Sequence, residues 1–507
     1  MIKDKRFLLF FFLILAFSFF LRVMPAQNNN FFFTEDQGSD AVWVREIVER
    51  GQILSKGPET GIPGVHAGPL WYYFISTGYK LFDGHPYGAL FMVIVLNVLA
   101  SGVLMWVVAK RCNLKLGLFV GIGLQFNWFF YDTSRWGFNP FPLVALSFFL
   151  VLLLSGLGAR VNKYYSFGLI PIFLAFNTEI AGAGALLLFY IVSGILFVWK
   201  RILNIRVFLI SAIAVPLLFV LPIVFDFGRR FLETRVFSLH LFNVVGTFAG
   251  TNFPSMKSVF LDLLARGVIP QSVALSVIIF FGILFLFLKH PIDKNVFTRN
   301  FVFLTLLLFG VSFFWFSLNK GWRDWHTLYL SPLIFIAVFL MISSIPKKIG
   351  FLLLAFVLGA QFLLFKERYG EFYFPSQDPG LLVNKLRVVD WIYQQSKNDG
   401  FKVYVYSPHF WDYPYQYLFW WNGIKKYGYV PCDFRNHPGI LKHVYIPGAD
   451  FYSRPTLGCG KFTFLIIEPD EDISRQGGWI DEVGEGKEIV ERAELGGIKV
   501  EKRANEN

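Results

Sequence analysis

Apolar residues gather into eleven runs, at about 7–24, 88–109, 116–131, 140–158, 167–180, 183–199, 207–225, 271–289, 301–318, 327–345 and 349–365. A straight bilayer span takes ~20 apolar residues. The longer runs therefore predict membrane-crossing helices, and the shorter ones predict tilted or partly re-entrant packing. Three long polar stretches interrupt the pattern, at 25–87, 226–270 and 366–507. The last mixes strand-like runs (Lys402–Tyr406, Phe462–Ile467 and Ile498–Lys502) with a helical period over 381–396. The expected fold is mainly α: a polytopic transmembrane bundle of about eleven spans over residues 1–365, followed by a small α/β domain over 366–507. No tandem repeat is visible.

Composition agrees with this reading. Of the 507 residues, 55% are hydrophobic and 19% aromatic, more apolar surface than a soluble core hides. The net charge of +12 would suit a nucleic-acid binder, but the basic residues sit in short connections between apolar runs. They are Lys110, Arg111 and Lys115; Arg160 and Lys163; Lys200, Arg201 and Arg206; Lys289, Lys294 and Arg299; Lys347 and Lys348. Basic connections stay on the cytoplasmic side. The N-terminus, with Lys3, Lys5 and Arg6, is then expected inside, and the three long stretches and the C-terminus outside a plasma (inner) membrane. No small-residue cleavage site follows the first run, which predicts an anchor. Cys432 and Cys459 fall together in the outer domain, where they either pair or remain as two thiols; Cys112 is expected in the cytosol.

The first polar stretch holds the most chemistry. Residues 34–51 read as one amphipathic helix, with Thr34 and Gln37 as a capping box and Gly51 as the stop. Ala41, Val44, Ile47 and Val48 recur at helical spacing and are expected on the membrane face. Asp36 and Asp40 lie four apart, so both carboxylates project from one side; such a pair can hold a divalent cation, or one member can act as base while the other orients it. Acidic residues are also favoured in any first helical turn by the backbone dipole. Glycines and prolines at 57–64 turn the chain back to a second amphipathic stretch at about 69–82. There Trp71, Tyr72 and Tyr73 suit a headgroup-level belt. His66 precedes them as a loop hydrogen-bonder or a phosphate or metal contact.

An acidic residue just after the first span, the Arg45-Glu46-Ile47 to Gly51 helix end and the Pro69-Leu70 to Tyr72 segment together resemble the GT-C membrane glycosyltransferases, in particular the protein O-mannosyltransferase and lipid A aminoarabinose transferase families. Asp36 matches the acidic position. Gln37 replaces the Glu that follows it there, and Ala67-Gly68-Pro69-Leu70 replaces Lys-Pro-Pro-Leu. The resemblance covers the first ~150 residues best. It implies a polyprenyl-phosphate-linked sugar donor, an acceptor outside the cytoplasm and Asp36 as catalytic base, with no certain cofactor.

Other polar groups sit near membrane depth. Arg135, in the turn 132–140, could grip a phosphate or pair with Asp132. Glu179 stands among apolar residues and is expected to face the bundle interior or an aqueous cavity. Lys320, Arg323, His326 and Tyr329 join two late spans, where they resemble the segment near the lipid phosphate in GT-C enzymes; snorkelling anchors are the alternative. Arg229, Arg230 and Arg235 are further candidates in the middle stretch. Two other classes fit parts of the pattern. A transporter or flippase would explain the basic clusters, although no inverted repeat is found. A non-enzymatic envelope assembly protein would use the aromatic segment Tyr413–Trp421 as a contact surface, whereas packing onto the bundle is the simpler expectation.

Overall fold

The computed structural model describes residues 4–60, 66–214, 253–289, 295–318, 323–408, 411–435 and 457–504. Lys320, Arg229, Arg230 and Arg235 lie outside the described residues. Among those described, six helices are long and apolar enough to cross a membrane: Lys5–Asn29, Tyr87–Arg111, Ile180–Trp199, Val296–Ser317, Asp324–Ser343 and Lys347–Tyr373. Leu114–Gln125, Pro142–Gly156, Ile205–Ala214 and Val273–Lys289 are shorter apolar helices. Local chemistry sets the breaks. The run at 116–131 stops at Asn127, whose side chain accepts the Phe130 N–H at 2.9 Å and starts a separate short helix, Trp128–Asp132. The run at 167–180 ends at Asn177, and a new helix begins after Glu179.

Helix Leu330–Ser343 is the bundle's axis, with every residue from Leu330 to Ile342 buried. The outer helices turn large apolar groups outward, such as Phe10, Phe12, Phe351 and Leu352. The first span carries a buried arginine. Arg22 Nε donates to Ser134 Oγ at 2.7 Å, and Nη1 donates to Gln125 Oε1 at 2.8 Å and Ser18 Oγ at 2.9 Å. These bonds fix the chain at the point from which it leaves the bundle.

The C-terminal sheet is formed by β1 (Phe401–Tyr406), β2 (Asp433–Arg435), β3 (Phe462–Ile467), β4 (Glu488–Leu495) and β5 (Ile498–Ala504), in the order β2-β1-β3-β5-β4. β1 is parallel to β2 and β3, while β5 runs antiparallel to β3 and β4. Tyr406 pairs with Ile467, so β1 and β3 end side by side. One face packs Tyr404, Tyr406, Leu465 and Ile467 on helix Ile473–Gly484. The other buries Val403, Val405, Phe464 and Ile466 in a core shared with helix Leu382–Ser396 and with the first polar stretch. The strand-like runs and the 381–396 helix are therefore real elements. Cys432 and Cys459 form a disulfide with a Cα–Cα distance of 5.3 Å.

The first polar stretch packs into a protein core. Helix Glu35–Arg50 starts with the expected capping box, Thr34 N and Oγ1 donating to Gln37 Oε1 at 3.1 and 2.6 Å, and ends at left-handed Gly51. Its apolar face, with Ala41 and Val44 buried, packs against helices Leu70–Leu81 and Tyr413–Asn422, not on the membrane face. A Cβ on Gly38 would stand 2.3 Å from Pro414 N, so only glycine lets the two backbones meet. Trp71 and Tyr72 are buried in this core and do not form a headgroup belt. Gly78 and Gly88 explain why: a Cβ on either would meet the other's backbone, so their absence draws Leu70–Leu81 tightly onto Tyr87–Arg111. The Tyr413–Trp421 segment is spent on the same packing, with Tyr417 OH donating to Gly84 O at 2.6 Å and Trp421 Nε1 to Asp83 O at 3.0 Å. Phe33 N to Gly380 O at 2.8 Å and Leu382 N to Phe31 O at 2.9 Å complete the junction.

Candidate functional site

The junction encloses a cavity of about 810 Å³. Three parts of the chain wall it: the start of helix Glu35–Arg50 with residues 58–60, one end of the bundle at 138–140, 178–180 and 323–326, and the sheet side at 379–385, 407–408, 411–415 and 468–469.

From the first polar stretch come Glu35, Asp36 and Glu59. The helix's capping box turns its first two acidic residues to the cavity, where Asp36 is exposed. Asp40 is one turn deeper and only 5% exposed. Its Oδ2 accepts the Trp71 indole N–H at 2.7 Å. Burial pushes the Asp40 carboxyl well above the usual range, with the Trp71 bond acting the other way and the Asp36 charge adding to the rise. The two aspartates thus part company: Asp36 faces the cavity, and Asp40 ties its helix to Leu70–Leu81. Glu35 is pushed up to about 8, by partial burial first and then by the charges of Asp36 and Glu468.

The bundle contributes Glu179, Arg323 and His326. Glu179 caps helix Ile180–Trp199, with Oε1 accepting the Ala181 N–H at 2.7 Å and Oε2 the Gly182 N–H at 2.5 Å. His326 Nδ1 accepts the Arg323 N–H at 3.2 Å, which assigns the ring proton to Nε2, 3.7 Å from Glu179 Oε1. The Arg323 side chain is exposed at the cavity wall and makes no ion pair among the described residues. Asn139 also reaches the wall while its Nδ2 donates to Thr178 O at 2.9 Å.

The sheet supplies groups that the sequence reading missed. Ser407 and Glu468 follow the ends of the parallel strands β1 and β3, and the register places them together: Ser407 Oγ donates to Glu468 Oε2 at 3.2 Å. Tyr415 OH donates to Glu468 Oε1 at 3.1 Å, and the Lys385 ammonium pairs with the same oxygen. Lys385 is 2% exposed. A signal was available, because ligands gather outside the carboxyl ends of parallel strands and Glu468 directly follows an apolar strand.

Besides Asp40, three expected residues do not line the cavity. Arg135 is buried, pairs with Asp132 at 3.8 Å and stacks on Phe372. Tyr329 is fully buried, its OH 2.9 Å from Ser312 Oγ. His66 stands beside the wall, where its Nδ1 meets Gly57 O at 3.2 Å and its backbone bridges Glu59. Among the described residues no group of three or more His, Cys, Asp or Glu is arranged to hold a metal ion.

No family profile matches the chain, and no curated protein sequence matches it. Solved structures do. ArnT from Cupriavidus metallidurans bound to undecaprenyl phosphate superposes with a TM-score of 0.55 at 12% identity, over 99% of this chain and 98% of that one. The apo state of the same protein gives 0.58 at 11% identity over the same shares. The Archaeoglobus fulgidus oligosaccharyltransferase in complex with Zn and sulfate gives 0.49 at 12% identity, over 94% of this chain and 71% of that one. The chain is an integral membrane protein with an ArnT-like fold over nearly its whole length.

Proposed function

We propose that the protein is a membrane glycosyltransferase that moves a sugar from a polyprenyl-phosphate-linked donor to an acceptor hydroxyl outside the cytoplasm. One observation carries the reading: the cavity brings an exposed carboxylate, Asp36, into the same space as the Arg323 guanidinium and the neutral His326 imidazole at the end of the bundle. In this reading the cavity lies at the membrane border, where a lipid tail and a polar headgroup can both be accommodated. The ArnT structure holding undecaprenyl phosphate supports a donor of this chemistry. The disulfide suits an oxidising compartment on the cavity side.

In the proposed reaction the acceptor oxygen attacks the anomeric carbon as Asp36 takes its proton. The bond from that carbon to the phosphate oxygen breaks, and the electron pair leaves with the lipid phosphate. A phosphate is a weakly basic leaving group, so its departure needs positive charge more than a general acid. Arg323 and the His326 Nε2–H would supply that stabilisation. Asp40 serves as a positioning group through Trp71, and Glu179 holds His326. A single displacement inverts the anomeric carbon.

Asp36→Asn tests this directly. It removes the base while keeping the helix start, and transfer should fall by about 10²–10⁴-fold with thermal stability near that of the wild type. Near-normal turnover in the variant would exclude Asp36 as the base.

A further inference from the structure

Helix Pro142–Gly156 begins at the cavity wall and ends at a different opening. There a groove of about 630 Å³ lies between the C-terminal halves of Tyr87–Arg111 and Pro142–Gly156 and the chain from Arg160 to Leu174. Its size is that of a small-molecule pocket, ~300–1,000 Å³. The walls are apolar, built by Val103, Trp106, Phe149, Leu153, Phe167 and Ile170. Val103, Phe167 and Ile170 are 41, 53 and 54% exposed, so the groove opens sideways, in the apolar part of the bundle, toward surrounding lipid.

Three cations gather at its end: Lys110, Arg111 and Arg160, all exposed. Arg111 Nη2 donates to Gly156 O at 2.7 Å, which fixes its guanidinium at the rim. Among the described residues none of the three has a carboxylate partner. Apolar walls alone would take any acyl chain. Uncompensated cations at one end select for a negative headgroup, the arrangement by which basic pockets between membrane helices hold anionic lipids. No residue of the groove lines the cavity at Asp36, and the inference does not depend on the proposed transfer reaction.

We propose that this groove binds an anionic glycerophospholipid, with an acyl chain along Trp106 and the headgroup phosphate at Lys110, Arg111 and Arg160. The site would seat the bundle in its membrane at the end away from the cavity.

Trp106 gives the test its readout. Full-length protein in detergent is titrated with phosphatidylglycerol or phosphatidylcholine carrying brominated acyl chains, and the quenching lost in Trp106→Phe is assigned to the groove. Phosphatidylglycerol should quench that component at about a hundredfold lower concentration, from the roughly fivefold that each of the three basic residues contributes near anionic lipid. The double substitution Lys110→Gln, Arg160→Gln leaves Arg111 and should reduce the difference to about fivefold. Equal quenching by the two lipids, or a preference unchanged in the double variant, would overturn the proposal. Should Trp106→Phe not fold, retention of phosphatidylglycerol by the wild type and the double variant is compared by native mass spectrometry, with equal retention as the contrary result.

Discussion

Glu35 stands one residue before the proposed base and shares its cavity. Burial, the Asp36 charge and the Glu468 charge together raise its carboxyl to about 8, so it is protonated at neutral pH and does not add a further negative charge beside Asp36. The unfolded chain releases this proton near 4.5, while the folded chain holds it to about 8. Stability must therefore fall as pH rises across that window and level off above it. The melting temperature of the wild type, measured against Glu35→Gln, should decline from pH 4.5 to 8 and then run parallel. A constant difference across that range would show that Glu35 titrates normally. The place of Asp36 at the cavity was legible in the sequence, because its position after the first span and a capping pattern mark it. The role of Asp40 was not, since i,i+4 spacing gives a shared side but not which partner fills the space. Trp71, an aromatic expected at the headgroups, turned out to be that partner.

Among the elements, the junction between the first polar stretch and the C-terminal sheet depends on close backbone contact. Gly38→Ala would force Pro414 away from helix Glu35–Arg50, an overpacking change costing about 1–3 kcal/mol. It should speed proteolysis between the bundle and the sheet and reduce transfer without altering Asp36; unchanged protease resistance would show that the two helices can separate freely. The Lys385–Glu468 pair is the other joint. Removing only the lysine, as in Lys385→Ala, leaves Glu468 among buried groups and should destabilise by about 3–5 kcal/mol. Lys385→Met with Glu468→Leu should cost much less, as measured by thermal unfolding of the three proteins. Equal losses would mean that the charges are not coupled. Strands β1, β3 and β5 and helix Leu382–Ser396 were legible because each carries its own period. β4 was not, as Glu488–Leu495 is largely exposed and has no apolar stripe. The apolar face at Ala41 and Val44 was visible, but its partner, the helix Tyr413–Asn422, lies far along the chain. Periodicity identifies a face and leaves its neighbour open.

For the whole molecule, hydropathy set the membrane class and marked the first and last long polar stretches, both of which line the cavity. It did not show that these two close over the bundle as one core. That closure is what brings Glu35, Asp36, Arg323, His326, Lys385 and Glu468 to a common space. The central claim is that this space cleaves a sugar from a polyprenyl phosphate. The most direct measurement incubates the purified full-length protein with a panel of radiolabelled polyprenyl-phosphate sugars and extracted envelope acceptors, and follows release of free lipid phosphate. The account requires at least one sugar to be released by the wild type and not by Asp36→Asn. Release from none of the panel by protein that is folded, or equal release by both proteins, would contradict it.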